Sequence, residues 1–110
     1  MHTSRPMNDL ARSTIDRLRA HEDELRALGV RSVSVFGSVA RGDAGTASDI
    51  DIAVRLEAGF AKGGFEYLGK LERLREQLAE ILGRPVDVIE EPVEAQPLQH
   101  AIDRERLPAF

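Results

Sequence analysis

The chain has 110 residues, no cysteine, 42% hydrophobic and 31% charged side chains, and a formal charge of −4 from fifteen Lys+Arg against nineteen Asp+Glu. That length suits one domain, 1–110, able to hide roughly two-thirds of its unfolded surface, and the missing cysteines exclude disulfides, thiolate metal sites and cysteine nucleophiles. The acidic balance argues against a long nucleic-acid partner, and no apolar run reaches the roughly 18 residues of a membrane span, so the expectation is a cytoplasmic protein.

Asn8 to Leu28 reads as one amphipathic helix, with Ile15, Leu18, Leu25 and Leu28 at three-and-four spacing, Asn8 as cap and Gly29 as stop. Val30 to Phe36 alternates apolar and polar residues and predicts a strand, broken by Gly37-Ser38. Val39-Ala40-Arg41 makes a helical turn before Gly42, and Asp43 to Ser48 is loop. Asp49 to Val54 alternates strictly and predicts a second strand, while the three glycines of 59–64 mark a mobile loop.

The longest apolar stripe follows. Phe65, Leu68, Leu71, Leu74, Leu78, Ile81 and Leu82 predict a helix packed along its length on the core, ended by Gly83 and Pro85. Its other face (Lys70, Glu72, Arg73, Arg75, Glu76, Glu80) is charged and solvated. Val86 to Ile89 is a third strand, Leu98, Ala101 and Ile102 suggest a short helix, and Leu107 to Phe110 suits an edge strand because Pro108 lacks a ladder donor. The order α-β-α-β-α-β-α points to an α/β (α+β) domain with a small mixed sheet flanked by helices.

The chemistry gathers at strand ends. Gly37 lets a ligand approach the backbone closely, and the helical start offers free N–H groups for a phosphate, with the Ser38 hydroxyl as a further donor. Asp49 and Asp51, two apart on a strand, point to one face roughly 6 to 7 Å apart, while Ile50, Ile52 and Val54 pack inward. Two such carboxylates repel unless a cation sits between them, and oxygen donors suit Mg²⁺. Asp87, between Val86 and Val88, reaches the same site if the third strand lies beside the second; three carboxylates and substrate phosphates can hold two ions for in-line phosphoryl or nucleotidyl transfer. Ser48 shapes the turn before Asp49, and Arg41 is placed to contact phosphate or an acidic neighbour. His2, His21 and His100 share no metal-like spacing.

Gly37-Ser38, ten residues, then Asp49-Ile50-Asp51 resembles the G-S-x10-D-x-D signature of the DNA polymerase β-like nucleotidyltransferase superfamily, and residues 37–54, GSVARGDAGTASDIDIAV, resemble its minimal nucleotidyltransferase (MNT) branch. The resemblance implies the polymerase β-like fold. It also implies that Gly37 and Ser38, with Arg41 and Ser48 as further candidates, bind the nucleotide, and that Asp49, Asp51 and Asp87 are catalytic and bind two Mg²⁺ ions. In that branch an antitoxin transfers AMP from ATP to a tyrosine of a HEPN-domain RNase toxin. A protein this short would then depend on its partner for substrate recognition. The competing readings are an antitoxin that neutralises its toxin by binding alone, an enzyme modifying a small hydroxylated molecule, and a polynucleotide-extending enzyme; the last two lack, respectively, an added substrate domain and a basic channel.

Overall fold

The computed structural model describes residues 8–43, 45 and 49–110. The elements in chain order are α1 (Asp9–Ala20), α2 (Glu22–Ala27), β1 (Val30–Phe36), α3 (Gly37–Arg41), β2 (Ile50–Leu56), α4 (Gly64–Leu82), β3 (Val86–Glu90), α5 (Gln96–Glu105) and β4 (Leu107–Pro108). The sheet order is β3-β2-β1-β4, with β1 antiparallel to both β2 and β4, and β2 parallel to β3. The mixed α/β architecture agrees with the expected element order, and β4 occupies the edge where Pro108 is tolerated.

The first helix is two helices rather than one. Asn8 caps α1, its Oδ1 accepting from the Ala11 N–H at 2.9 Å, as expected. At His21 the backbone leaves the helical region (φ −109°, ψ 18°) and its N–H turns to the Leu18 carbonyl at 3.1 Å, a tightened turn that starts α2. The redirected segment still buries Leu25 but leaves Leu28 47% exposed, so Leu28 is not the core residue that its spacing suggests.

Alternation along the strands divides the core between the two sheet faces. Val33, Val35, Ile50, Ile52, Val54 and Val86 pack with Ile15 and Leu18 of α1 and with Leu74, Leu78 and Leu82 of α4. On the opposite face Phe36 and Ala53 pack against Ile102 of α5. The α4 stripe is core only in its C-terminal part: Phe65 is 96% and Leu68 63% exposed, against the expectation that the whole stripe is buried. The reason is length. Nineteen helical residues run about 28 Å, whereas the five residues of β3 run roughly 17 Å, so the sheet ends before the helix does.

After β3 the chain is bolted down by a buried ion pair. The Glu91 side chain is 1% exposed and receives Arg106 at both carboxylate oxygens, Nη1 to Oε1 at 2.8 Å, with a further hydrogen bond from Gln99 Nε2 at 2.7 Å. Arg106 Nη1 also donates to Ser34 Oγ at 3.0 Å, which ties the end of α5 to β1.

Candidate functional site

In-register pairing builds the site. β2 and β3 run parallel with Asp51 directly opposite Asp87, and β1 and β2 run antiparallel with Phe36 opposite Asp51. In-register partners on neighbouring strands project to the same face, here the face of Phe36 and Ala53. The expectation that Asp87 would share a face with the Asp49–Asp51 pair therefore holds for Asp51 and Asp87. Asp49 stands one residue before β2, not inside it, and is exposed; Asp87 is exposed and Asp51 half-buried.

Gly37 opens α3 directly beyond Phe36, and its backbone lies against Asp51. Its φ is +73°, in the left-handed region, and a β-carbon there would stand 2.1 Å from Asp51 Oδ2. Conformation and space both require glycine at this position. The turn is closed by Gly42 (φ +84°), whose N–H reaches the Ser38 carbonyl at 3.0 Å. Asn8 Nδ2 also donates to the Val39 carbonyl at 3.0 Å, which fixes α3 to the start of α1.

The charges are unbalanced toward negative. Burial first, then the neighbouring Asp87 and Asp49 carboxylates, push the Asp51 carboxyl above its usual range, and Arg41 pulls it the other way. Arg41 Nε donates to Asp43 Oδ2 at 3.1 Å and its Nη1 to Glu105 Oε2 at 3.0 Å, and these two carboxylates raise the guanidinium pKa. Of the two roles foreseen for Arg41, the structure shows the pairing with acidic neighbours; phosphate contact stays open to it, since a guanidinium carries five N–H donors and two are engaged among the described residues. Among the described residues no three acidic or histidine side chains are already drawn together as a closed ligand set. Even so, the donors fit a hard divalent cation: they are all oxygen, they are mutually repelling, and the Arg41 guanidinium does not outweigh burial and the other carboxylates at Asp51.

Ser38, half-buried, is the second residue of α3, where the N–H groups of the first turn have no intrahelical acceptor. Ser48 lies outside the described residues. Glu105 is a site residue that the sequence did not disclose: its Oε1 accepts the Gly37 N–H at 3.1 Å. It sits 68 residues beyond Gly37 and outside any motif, so only the packing of α5 could reveal it. A cavity of about 350 Å³ lined by Leu28, Phe60, Lys70, Arg73 and Leu74, among others, contains none of these residues.

The family model described as a nucleotidyltransferase domain matches residues 18–108. The chain is 42% identical over 73 residues to the protein adenylyltransferase MntA of Thermococcus cleftensis, covering 66% of this chain and 68% of that one. Among solved structures it is similar to a candidate minimal nucleotidyltransferase (TM-score 0.70, 35% identity, 92% of this chain and 96% of that one). It is also similar in fold to a chain of the complex of tri-AMPylated Shewanella oneidensis HEPN toxin with MNT antitoxin (TM-score 0.53, 18% identity, 84% and 71% covered).

Proposed function

The chain belongs to the nucleotidyltransferase domain family, and from that premise we propose that it acts as an antitoxin by transferring AMP from ATP to a tyrosine hydroxyl of a HEPN-domain RNase toxin. One observation carries the reading: Asp51 and Asp87 are direct partners on parallel strands, with Asp51 packed on the first residue of the Gly37–Ser38 turn. The adenylyltransferase name of the Thermococcus relative and the AMPylated toxin in the Shewanella complex support a protein acceptor.

In this reading Asp49, Asp51 and Asp87 hold two Mg²⁺ ions, and metal bound there supplies neutralising charge and a lowered pKa for the acceptor hydroxyl. The backbone and hydroxyl of Ser38, on the turn that Gly37 opens, grip the phosphates, and Arg41 adds charge-assisted donors from the end of the same turn. The acceptor oxygen bonds to the α-phosphorus, the α–β bridging P–O bond breaks and pyrophosphate leaves. Asp87, the exposed member of the carboxylate pair, takes up the hydroxyl proton.

The test is transfer of label from α-labelled ATP to a co-expressed HEPN partner in the presence of Mg²⁺. Labelling is expected with the wild-type chain and is expected to vanish in Asp49→Asn and Asp51→Asn. Absence of any labelled partner with the wild-type protein would overturn the proposal.

A further inference from the structure

Glu105, the last residue of α5, spends both carboxylate oxygens on α3. Oε1 accepts the N–H of Gly37, the first residue of that helical turn, and Oε2 accepts Nη1 of Arg41, its last. One carboxylate therefore ties both ends of a five-residue helix too short to be stable alone. The tie is anchored. The Glu105 side chain is 21% exposed, the next residue, Arg106, is locked to buried Glu91 and to Ser34, and Ile102 one turn earlier is fully buried.

We propose that Glu105 is a positioning residue for nucleotide binding, holding α3 and the Arg41 guanidinium in the arrangement that receives a polyphosphate. The inference rests on the reading of the Gly37–Ser38 turn as a phosphate cradle. Glu105 and Asp43 each engage one Arg41 nitrogen, leaving, among the described residues, three guanidinium donors for an anion on a side chain held at two points. Holding a long side chain in place before binding removes an ordering cost that the ligand would otherwise meet. The carboxylate also opposes the positive end of α3, which favours that turn in the nucleotide-free protein.

The experiment measures binding of ATP with Mg²⁺ to the full chain by calorimetry, alongside the kcat and KM of label transfer. Glu105→Ala is expected to weaken ATP binding roughly tenfold, the equivalent of one to two hydrogen bonds, while kcat at saturating ATP stays within about a factor of two. Glu105→Gln, whose amide oxygen still accepts the Gly37 N–H, is expected to lose less. In an Arg41→Ala background, Glu105→Ala is expected to cost less than it does in the wild type, since only the Gly37 tie is then left to lose. Hydrogen exchange without nucleotide supplies the independent readout: amides 37–41 should lose protection in Glu105→Ala while those of β1 and β2 keep theirs. Unchanged or tighter ATP binding in both Glu105 variants overturns the inference, the tighter result marking Glu105 as a competitor of the phosphates. If the wild-type chain binds no ATP, the nucleotidyl-transfer reading and this role fall together. Unchanged exchange at 37–41 with ATP binding intact overturns the Glu105 role alone.

Discussion

The Asp51 carboxylate lies against the backbone of Gly37, its Oδ2 2.1 Å from where any β-carbon on residue 37 would stand. The motif glycine and the motif aspartate thus form one packed unit, and no larger residue fits at 37 without displacing Asp51. Gly37→Ala places a methyl group on the carboxylate and also forces an L-residue to φ +73°. The left-handed conformation alone costs roughly 1–2 kcal/mol, and relief of the overlap must move Asp51 or α3. The expected outcome is a melting temperature several degrees lower by calorimetry and a loss of transfer activity far larger than the stability loss explains.

Asp51 also gives the protein a pH signature. Its carboxyl is raised above the usual value by burial and by its Asp87 and Asp49 neighbours, so folding disfavours its charged form. For a group raised in the folded state, the stability it lends is full below its unfolded value near 4 and is lost as pH climbs through the folded value. At neutral pH the charged Asp51 therefore works against folding. Asp51→Asn should be more stable than wild type at pH 7, with the gain shrinking as pH falls toward 4, and it should be inactive at every pH. Thermal melts across that range check both signs. Added Mg²⁺ should raise the wild-type melting temperature and leave that of Asp51→Asn nearly unmoved.

How much of this was legible beforehand follows from which contacts are local. Strand alternation announces that Ile50, Ile52 and Val54 point inward and Asp51 outward, and the same rule placed Asp87 opposite its valines; the structure adds that the two carboxylates are register partners. The departures rest on features that a repeating pattern of side chains does not carry. The helical spacing of Ile15 through Leu28 continues across His21, so no periodicity marks the turn that ends α1 there. Glu105 is one of several acidic residues near the C-terminal end, and only α5 docking through Ile102 sets it beside Gly37. The Glu91–Arg106 pair likewise joins residues fifteen apart with no repeating pattern between them.

The α4 stripe separates helix formation from burial. Phe65 and Leu68 continue the spacing of Leu74 and Leu78 but lie beyond the reach of the sheet and are exposed. Phe65→Ser and Leu68→Ser should each shift stability by no more than about 0.5 kcal/mol in urea unfolding. Leu78→Ala, at a fully buried position, should cost about 2–5 kcal/mol. A large loss at Phe65 would show that the start of α4 packs on the core after all.

Arg106 anchors the end of α5 by satisfying a carboxylate that has almost no contact with water. The Glu91 carboxyl is lowered from its usual value because Arg106, and after it Gln99, hydrogen-bond its charged form against the cost of burial. For a lowered carboxyl, the stabilisation is present above its unfolded value near 4.5 and is lost as pH falls through the folded value. Arg106→Met removes the partner and leaves a buried charge, which costs about 3–5 kcal/mol when one member of such a pair is deleted. The double variant Glu91→Gln/Arg106→Met, with no charge left to bury, should recover much of that loss. Urea unfolding at pH 7 gives the ordering wild type, then the double variant, then Arg106→Met. At pH 4 and below, the gap between wild type and Arg106→Met should narrow as Glu91 takes up a proton. If Arg106→Met proved as stable as wild type at pH 7, α5 would be held by its apolar contacts alone, and Glu105 would need no anchor to reach Gly37.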